Sequence, residues 1–128
     1  MIYFISGHRD LTREEFNEHY TPIINRIIEL DSFAKFIMGD WEGCDTLVYN
    51  YILPRLKQYQ TIDIYYVDTV RFDNFNKALY PQVVSRKCDS YEECDASMIY
   101  YSDFDIAWIR PGKENSHTAN NVKRRYGL

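Results

Sequence analysis

The chain has 128 residues, of which 45% are hydrophobic and 16% aromatic, and its formal net charge is −4. That length suits one domain with a core of its own, and that composition excludes both intrinsic disorder and a membrane-spanning helix. The acidic balance argues against general affinity for nucleic acid; the basic cluster Lys123, Arg124 and Arg125 reads as the solvated last turn of a helix.

Residues 2–6 are a short apolar run ending at Gly7, which predicts a buried strand opening the domain. Thr12 and Glu15 make a capping box, and Phe16, Tyr20, Ile23, Ile24, Ile27 and Ile28 follow at helical spacing. Pro22 interrupts that pattern and predicts a kink or restart near Thr21. A second strand is expected over 33–39, and a second helix from about Asp45 to Tyr59, strained near Pro54. Residues 61–68 are rich in Ile and Tyr and predict a third strand. The segment 71–87, with Phe72, Phe75, Leu79 and Val83 around Pro81, reads as a loop with a short helix. Ser90 followed by Glu93 caps a helix over 91–101; a last strand, 105–110, then leads through a Gly-containing turn into a helix over about 116–126 closed by Gly127.

Strands alternating with helices predict an α/β fold, a three-layer Rossmann-like domain with a mostly parallel sheet of about 4–5 strands. Cys44, Cys88 and Cys94 are odd in number and form no Cys-x-x-Cys pair, so neither a disulfide framework nor a zinc site is expected. The opening apolar run is too short for a signal-peptide core, which makes a reducing cytoplasm the expected compartment. No metal and no cofactor are expected.

In parallel sheets ligands bind beyond the carboxyl ends of the strands, so three strand exits should gather into one site. The first presents Ser6, Gly7, His8, Arg9 and Asp10: a glycine for a tight exit, a forked donor for phosphate, and an imidazole able to donate or to move a proton. The second presents Gly39, Asp40, Trp41, Glu42, Gly43, Cys44 and Asp45, where glycines admit a close ligand, Asp40 and Asp45 suit ribose hydroxyls, and Trp41 could stack a base or cover the mouth. Asp45 could equally cap the helix, and Cys44 reads as a packing residue. The third presents Gly112, Glu114, Asn115, Ser116 and Thr118 at a helix N-terminus, which offers hydroxyls and backbone donors to an anion, with capping as the competing role for Ser116. Asp95 and Met98 could face the same crevice.

Together, Ile5-Ser6-Gly7-His8-Arg9-Asp10, Gly39-Asp40-x-x-Gly43-x-Asp45 and Pro111-Gly112 through Ser116-x-Thr118 resemble the SLOG superfamily, which includes the Lonely Guy phosphoribohydrolases and the DNA-processing protein A family. The resemblance spans nearly the whole chain and implies a nucleotide or related sugar phosphate as ligand. One departure stands out. Aligning Thr118 with the Thr of the Lonely Guy Pro-Gly-Gly-x-Gly-Thr-x-x-Glu motif puts Asn121 where the catalytic Glu stands, and an amide cannot act as that carboxylate.

The expected function is therefore binding of a nucleotide or ADP-ribose-like sugar phosphate, as sensor, carrier or sequestering protein. A nucleotide N-glycoside hydrolase or nucleoside deoxyribosyltransferase-like enzyme is the alternative, with Asp45, Glu42 or Asp95 supplying the carboxylate. A protein-interaction module with a vestigial pocket is a third reading. The expected partners are the nucleotide ligand and further copies of the chain, as a homodimer or higher homo-oligomer, with no nucleic acid and no membrane.

Overall fold

The computed structural model describes residues 1–72 and 81–127. Its strands are β1 (Ile2–Ile5), β2 (Lys35–Met38), β3 (Thr61–Tyr66), β4 (Val83–Lys87) and β5 (Phe104–Ile106), and they form one sheet in the order β4-β3-β2-β1-β5 with every pairing parallel. Its helices are α1 (Arg13–His19), α2 (Thr21–Leu30), α3 (Cys44–Ile52), α4 (Tyr91–Tyr101) and α5 (His117–Arg125), with a 3₁₀ turn at Leu53–Arg55. The expected Rossmann-like α/β architecture is thus present. No helix among the described residues is long and apolar enough to cross a membrane.

Local chemistry explains the boundaries. Thr12 Oγ1 accepts from Glu15 N at 3.1 Å while Glu15 Oε1 accepts from Thr12 N at 2.9 Å, the reciprocal bonds of a capping box, and α1 begins there. Pro22 lies in the first turn of α2, where its missing N–H costs nothing, so the helix restarts at Thr21 instead of kinking. Pro54 likewise turns the end of α3 into the 3₁₀ segment. Ser90 Oγ accepts from Glu93 N at 3.1 Å and opens α4 at the expected residue.

Successive residues of a strand point to opposite faces, and here they feed two separate cores. Ile5, Phe36, Met38, Ile62 and Ile64 pack under α1, α2 and α3 with Phe16, Tyr20, Ile24 and Val48. Phe4, Ile37 and Tyr65 face the other way, onto Cys94 and Met98 of α4, and α5 packs beside α4. The sheet is therefore covered on both faces, as an all-parallel sheet must be.

Several expectations require correction. The last strand, expected over 105–110, spans only Phe104–Ile106, because the Trp108 and Arg110 N–H groups turn to Tyr20 Oη and His8 Nε2, and the helix expected to reach Tyr59 ends at Ile52 before Pro54. Residues 83–87, expected to be loop or short helix, form edge strand β4; Arg86 and Lys87 are exposed there, so the segment lacks the apolar run that marks a buried strand. The short helix expected within 71–87 falls largely on 73–80, outside the described residues. Where no disulfide framework is expected, Cys88 and Cys94 form a disulfide: the end of β4 and the first turn of α4 bring their Cα atoms to 5.5 Å, within the ordinary range for a bridge.

Candidate functional site

Because β1 pairs with β2 on one side and β5 on the other, the chain leaves β1 and β5 in diverging directions at their carboxyl ends, which opens a crevice there. A cavity of about 430 Å³ occupies it, and all three strand exits contribute to its lining. The first exit supplies Ser6 to Asp10, the second Gly39, Asp40, Trp41, Glu42 and Asp45, and the third Lys113, Ser116, His117, Thr118 and Asn121. Tyr91, Cys94, Asp95 and Met98 of α4 form a wall, with Phe4, Ile5 and Tyr65 from the sheet.

The first two exits are locked together by glycine. A Cβ on Gly7 would stand 2.4 Å from Cys44 Sγ and 2.6 Å from Tyr20 Oη, so no side chain fits. Gly43 has φ +83°, and a Cβ there would meet the Arg9 carbonyl oxygen at 1.8 Å. Gly43 therefore serves this close approach of two loops and does not line the cavity. Cys44 lies beneath Gly7, and burial pushes its thiol well above the usual range, which fits packing and not nucleophilic chemistry.

The third exit is tied to the first by Arg110. Its guanidinium donates to Glu15 Oε1 at 2.7 Å, to Glu15 Oε2 at 2.9 Å and to Asp10 Oδ1 at 2.8 Å. These bonds hold the Glu15 carboxyl down at about 2. The Arg110 N–H donates to His8 Nε2 at 2.9 Å, so that nitrogen is an acceptor and the neutral ring carries its proton on Nδ1. Burial first, and then the Arg110 charge, lower the His8 pKa. His8 thus orients the loop as a neutral imidazole, and the expected acid-base role finds no free Nε2. Gly112 and Glu114 make a local turn, Gly112 N donating to Glu114 Oε1 at 3.2 Å; with Asn115 they lie outside the cavity lining.

Trp41 has a different neighbourhood from a base-stacking platform. The Arg9 guanidinium carbon stands 3.6 Å from the ring centroid and that of Arg71 3.9 Å, and two such groups cannot share one face. Arg71 is itself fastened to Asp40, with its N–H at 3.0 Å and its guanidinium at 2.8 Å from the two carboxylate oxygens. Trp41 therefore holds Arg9 at the cavity rim. Neither Arg9 nor Lys113 has an ion-pair partner among the described residues, whereas Asp10, Asp40 and Asp95 all have one. Glu42 adds one carboxylate to the lining.

The buried polar groups complete the site. Ser6 Oγ is inaccessible and has no hydrogen-bond partner among the described residues. Asp45, 8% exposed, accepts at Oδ2 from Trp41 N at 3.0 Å, and the same oxygen would stand 3.1 Å from a Cβ on Gly39. Burial, with the charges of Asp40 and Asp95 adding to it, raises the Asp45 carboxyl to about 7. Asp95 meets the His117 ring through Oδ2. Ser116 caps α5, its Oγ accepting from Ala119 N at 3.2 Å, which leaves the hydroxyl proton and the N–H groups of His117 and Thr118 without intrahelical acceptors.

Lys113, Tyr65, Tyr91, Cys94 and His117 line the cavity and were not among the expected ligand-binding residues. Tyr91 and Cys94 follow from the helical start at Ser90, one turn before Asp95 and Met98 on the same face. Lys113 carried no signal apart from its place in the third turn. Among the described residues no cluster of His, Cys, Asp or Glu has the geometry to hold a metal ion. Comparison of the chain with family models, with curated proteins and with solved structures returns no match, so the functional reading rests on the site itself.

Proposed function

We propose that this cavity binds a nucleotide or nucleotide-like sugar phosphate. The observation that carries the reading is the polarity sorted across one cavity: Arg9 and Lys113 without ion-pair partners among the described residues, the protonatable Asp45 carboxyl inside, and Tyr65, Tyr91 and Met98 on the walls. An anionic group suits the cations and the first turn of α5, hydroxyls suit Asp45, and a flat base suits the aromatic and thioether wall. A volume of about 430 Å³ falls in the range of small-molecule sites.

Calorimetric titration with AMP, ADP-ribose and adenosine tests this. The nucleotides should bind at least about tenfold more tightly than adenosine, and Arg9→Ala should abolish that preference. A ligand at about 100 times its Kd adds roughly 2.7 kcal/mol of stability, so the absence of any Tm shift with all three compounds refutes the reading.

One observation favours a second reading, cleavage of an N-glycosidic bond. A buried carboxyl near half protonation at neutral pH can donate a proton to a departing base. Release of free adenine from AMP, lost in Asp45→Asn, would establish it; unchanged AMP after prolonged incubation would eliminate it for that substrate.

A further inference from the structure

The end of β4 and the first turn of α4 are joined twice. One joint is the hydrogen-bonded cap, in which Glu93 N donates to Ser90 Oγ at 3.1 Å and Asp89 N to Glu93 Oε2 at 3.2 Å. The other is the Cys88–Cys94 disulfide. The cap alone suffices to start the helix, so the disulfide adds a fixed register between α4 and the sheet. That register matters because Tyr91, Cys94, Asp95 and Met98, over two turns of α4, form one wall of the cavity.

We propose that Cys88 and Cys94 are a reversible oxidation site whose state sets the position of this wall and so the affinity of the cavity for its ligand. Reduction by a dithiol begins with a dithiol thiolate attacking one protein sulfur, which forms a mixed disulfide and expels the other sulfur as thiolate. The second dithiol sulfur then closes its own ring, so two electrons pass to the protein, two protons end on Cys88 and Cys94, and the reductant leaves as a cyclic disulfide. The freed thiols turn apart about their own Cα–Cβ bonds, and the register between β4 and α4 is then held by the cap alone, which leaves the wall freer to shift. Binding sites require their groups to be held within roughly 0.5 Å, so the reduced form binds more weakly.

Access fits the same geometry. Cys88 and Cys94 are only 6% and 4% exposed, and Cys94 lines the cavity, so a small reductant reaches the bridge through the ligand's own space. Ligand and reductant therefore oppose one another, and by linkage the factor by which reduction weakens binding equals the factor by which ligand resists reduction.

The coupling to ligand rests on the nucleotide reading; the movement of the wall does not, and the test separates them. The full chain is purified without reductant, and its thiols are counted with N-ethylmaleimide under denaturing conditions. One labelled thiol, Cys44, is expected before dithiothreitol and three after it. In a Trp108→Phe background Trp41 is the sole tryptophan, and its ring lies 5.0 Å from that of Tyr91 on the moving turn, so its emission should change on reduction and return on reoxidation. AMP should bind the reduced form about fivefold or more weakly, and Cys88→Ser/Cys94→Ser should match the reduced form. Three labelled thiols after treatment with oxidised glutathione, unchanged Trp41 emission, or measurable AMP binding of equal affinity in both redox forms would each overturn the proposal. If AMP binds neither form while Trp41 emission still changes reversibly, the oxidation site stands and the nucleotide reading falls.

Discussion

Replacing Asp45 by Asn removes a titrating group while preserving the shape of the side chain and its acceptor for the Trp41 N–H. In the folded protein the carboxyl sits at about 7, against 3.8 for an ordinary aspartate, so the folded state keeps its proton after the unfolded chain has lost it. The sign follows from linkage. Below pH 3.8 both states are protonated and nothing is lost; as pH rises from 3.8 towards 7, ionisation favours the unfolded chain, and above about 7 the loss levels off. At about 1.4 kcal/mol per pH unit the window amounts to about 4 kcal/mol. Asp45→Asn does not titrate, so its stability relative to the native chain should rise by about 4 kcal/mol between pH 4 and pH 8, measured by urea unfolding at intervals across that range. A relative stability that stays flat within about 1 kcal/mol would refute the placement of an ionisable group in so dry a position.

Gly7→Ala forces a Cβ to within 2.4 Å of Cys44 Sγ and 2.6 Å of Tyr20 Oη; overpacking of this kind costs about 1–3 kcal/mol, read as a lowered Tm, and Cys44→Ala in the same chain should restore part of the loss. Arg110→Gln removes the charge that holds Glu15 at about 2, so the Glu15 carboxyl should return towards 4.5 in an NMR titration. Because a depressed carboxylate stabilises the fold above its unfolded pKa and loses that contribution as pH falls from 4.5 towards 2, the variant should also unfold at a higher pH on acidification.

The elements legible in the sequence are those whose signals are local. Thr12 with Glu15 and Ser90 with Glu93 mark helix starts because the capping bonds join residues three apart, and Pro22 marks the restart of α2 because its effect is confined to its own turn. The gathering of three strand exits follows from parallel topology. What escaped depends on contacts between distant residues. The faces of Trp41 are taken by Arg9 and by Arg71, and Arg71 is anchored on Asp40, 31 positions away. His8 Nε2 is engaged by the backbone of Arg110, 102 positions on. Edge strand β4 is hidden in the sequence because an exposed edge does not require continuous apolar residues, and the Cys88–Cys94 bridge because its spacing matches no motif and depends on where a strand ends. The Asp45 shift is likewise a property of its surroundings: both the capping and the ligand roles foreseen for it presume an ordinary carboxylate.

Tyr20, at the junction of α1 and α2, donates its hydroxyl proton to the Ser6 carbonyl at 2.8 Å and accepts from the Trp108 N–H at 3.0 Å. One fully buried phenol thus clasps the chain on both sides of the crevice, from beneath. The floor and the β1–β5 flank of the hollow behave as bedrock, since shifting them strands the buried Ser6 carbonyl and unpairs the half-buried Trp108 N–H. Any breathing that admits a guest falls to the opposite bank, where α4 hangs from the sheet by its cap and the Cys88–Cys94 bridge at one end.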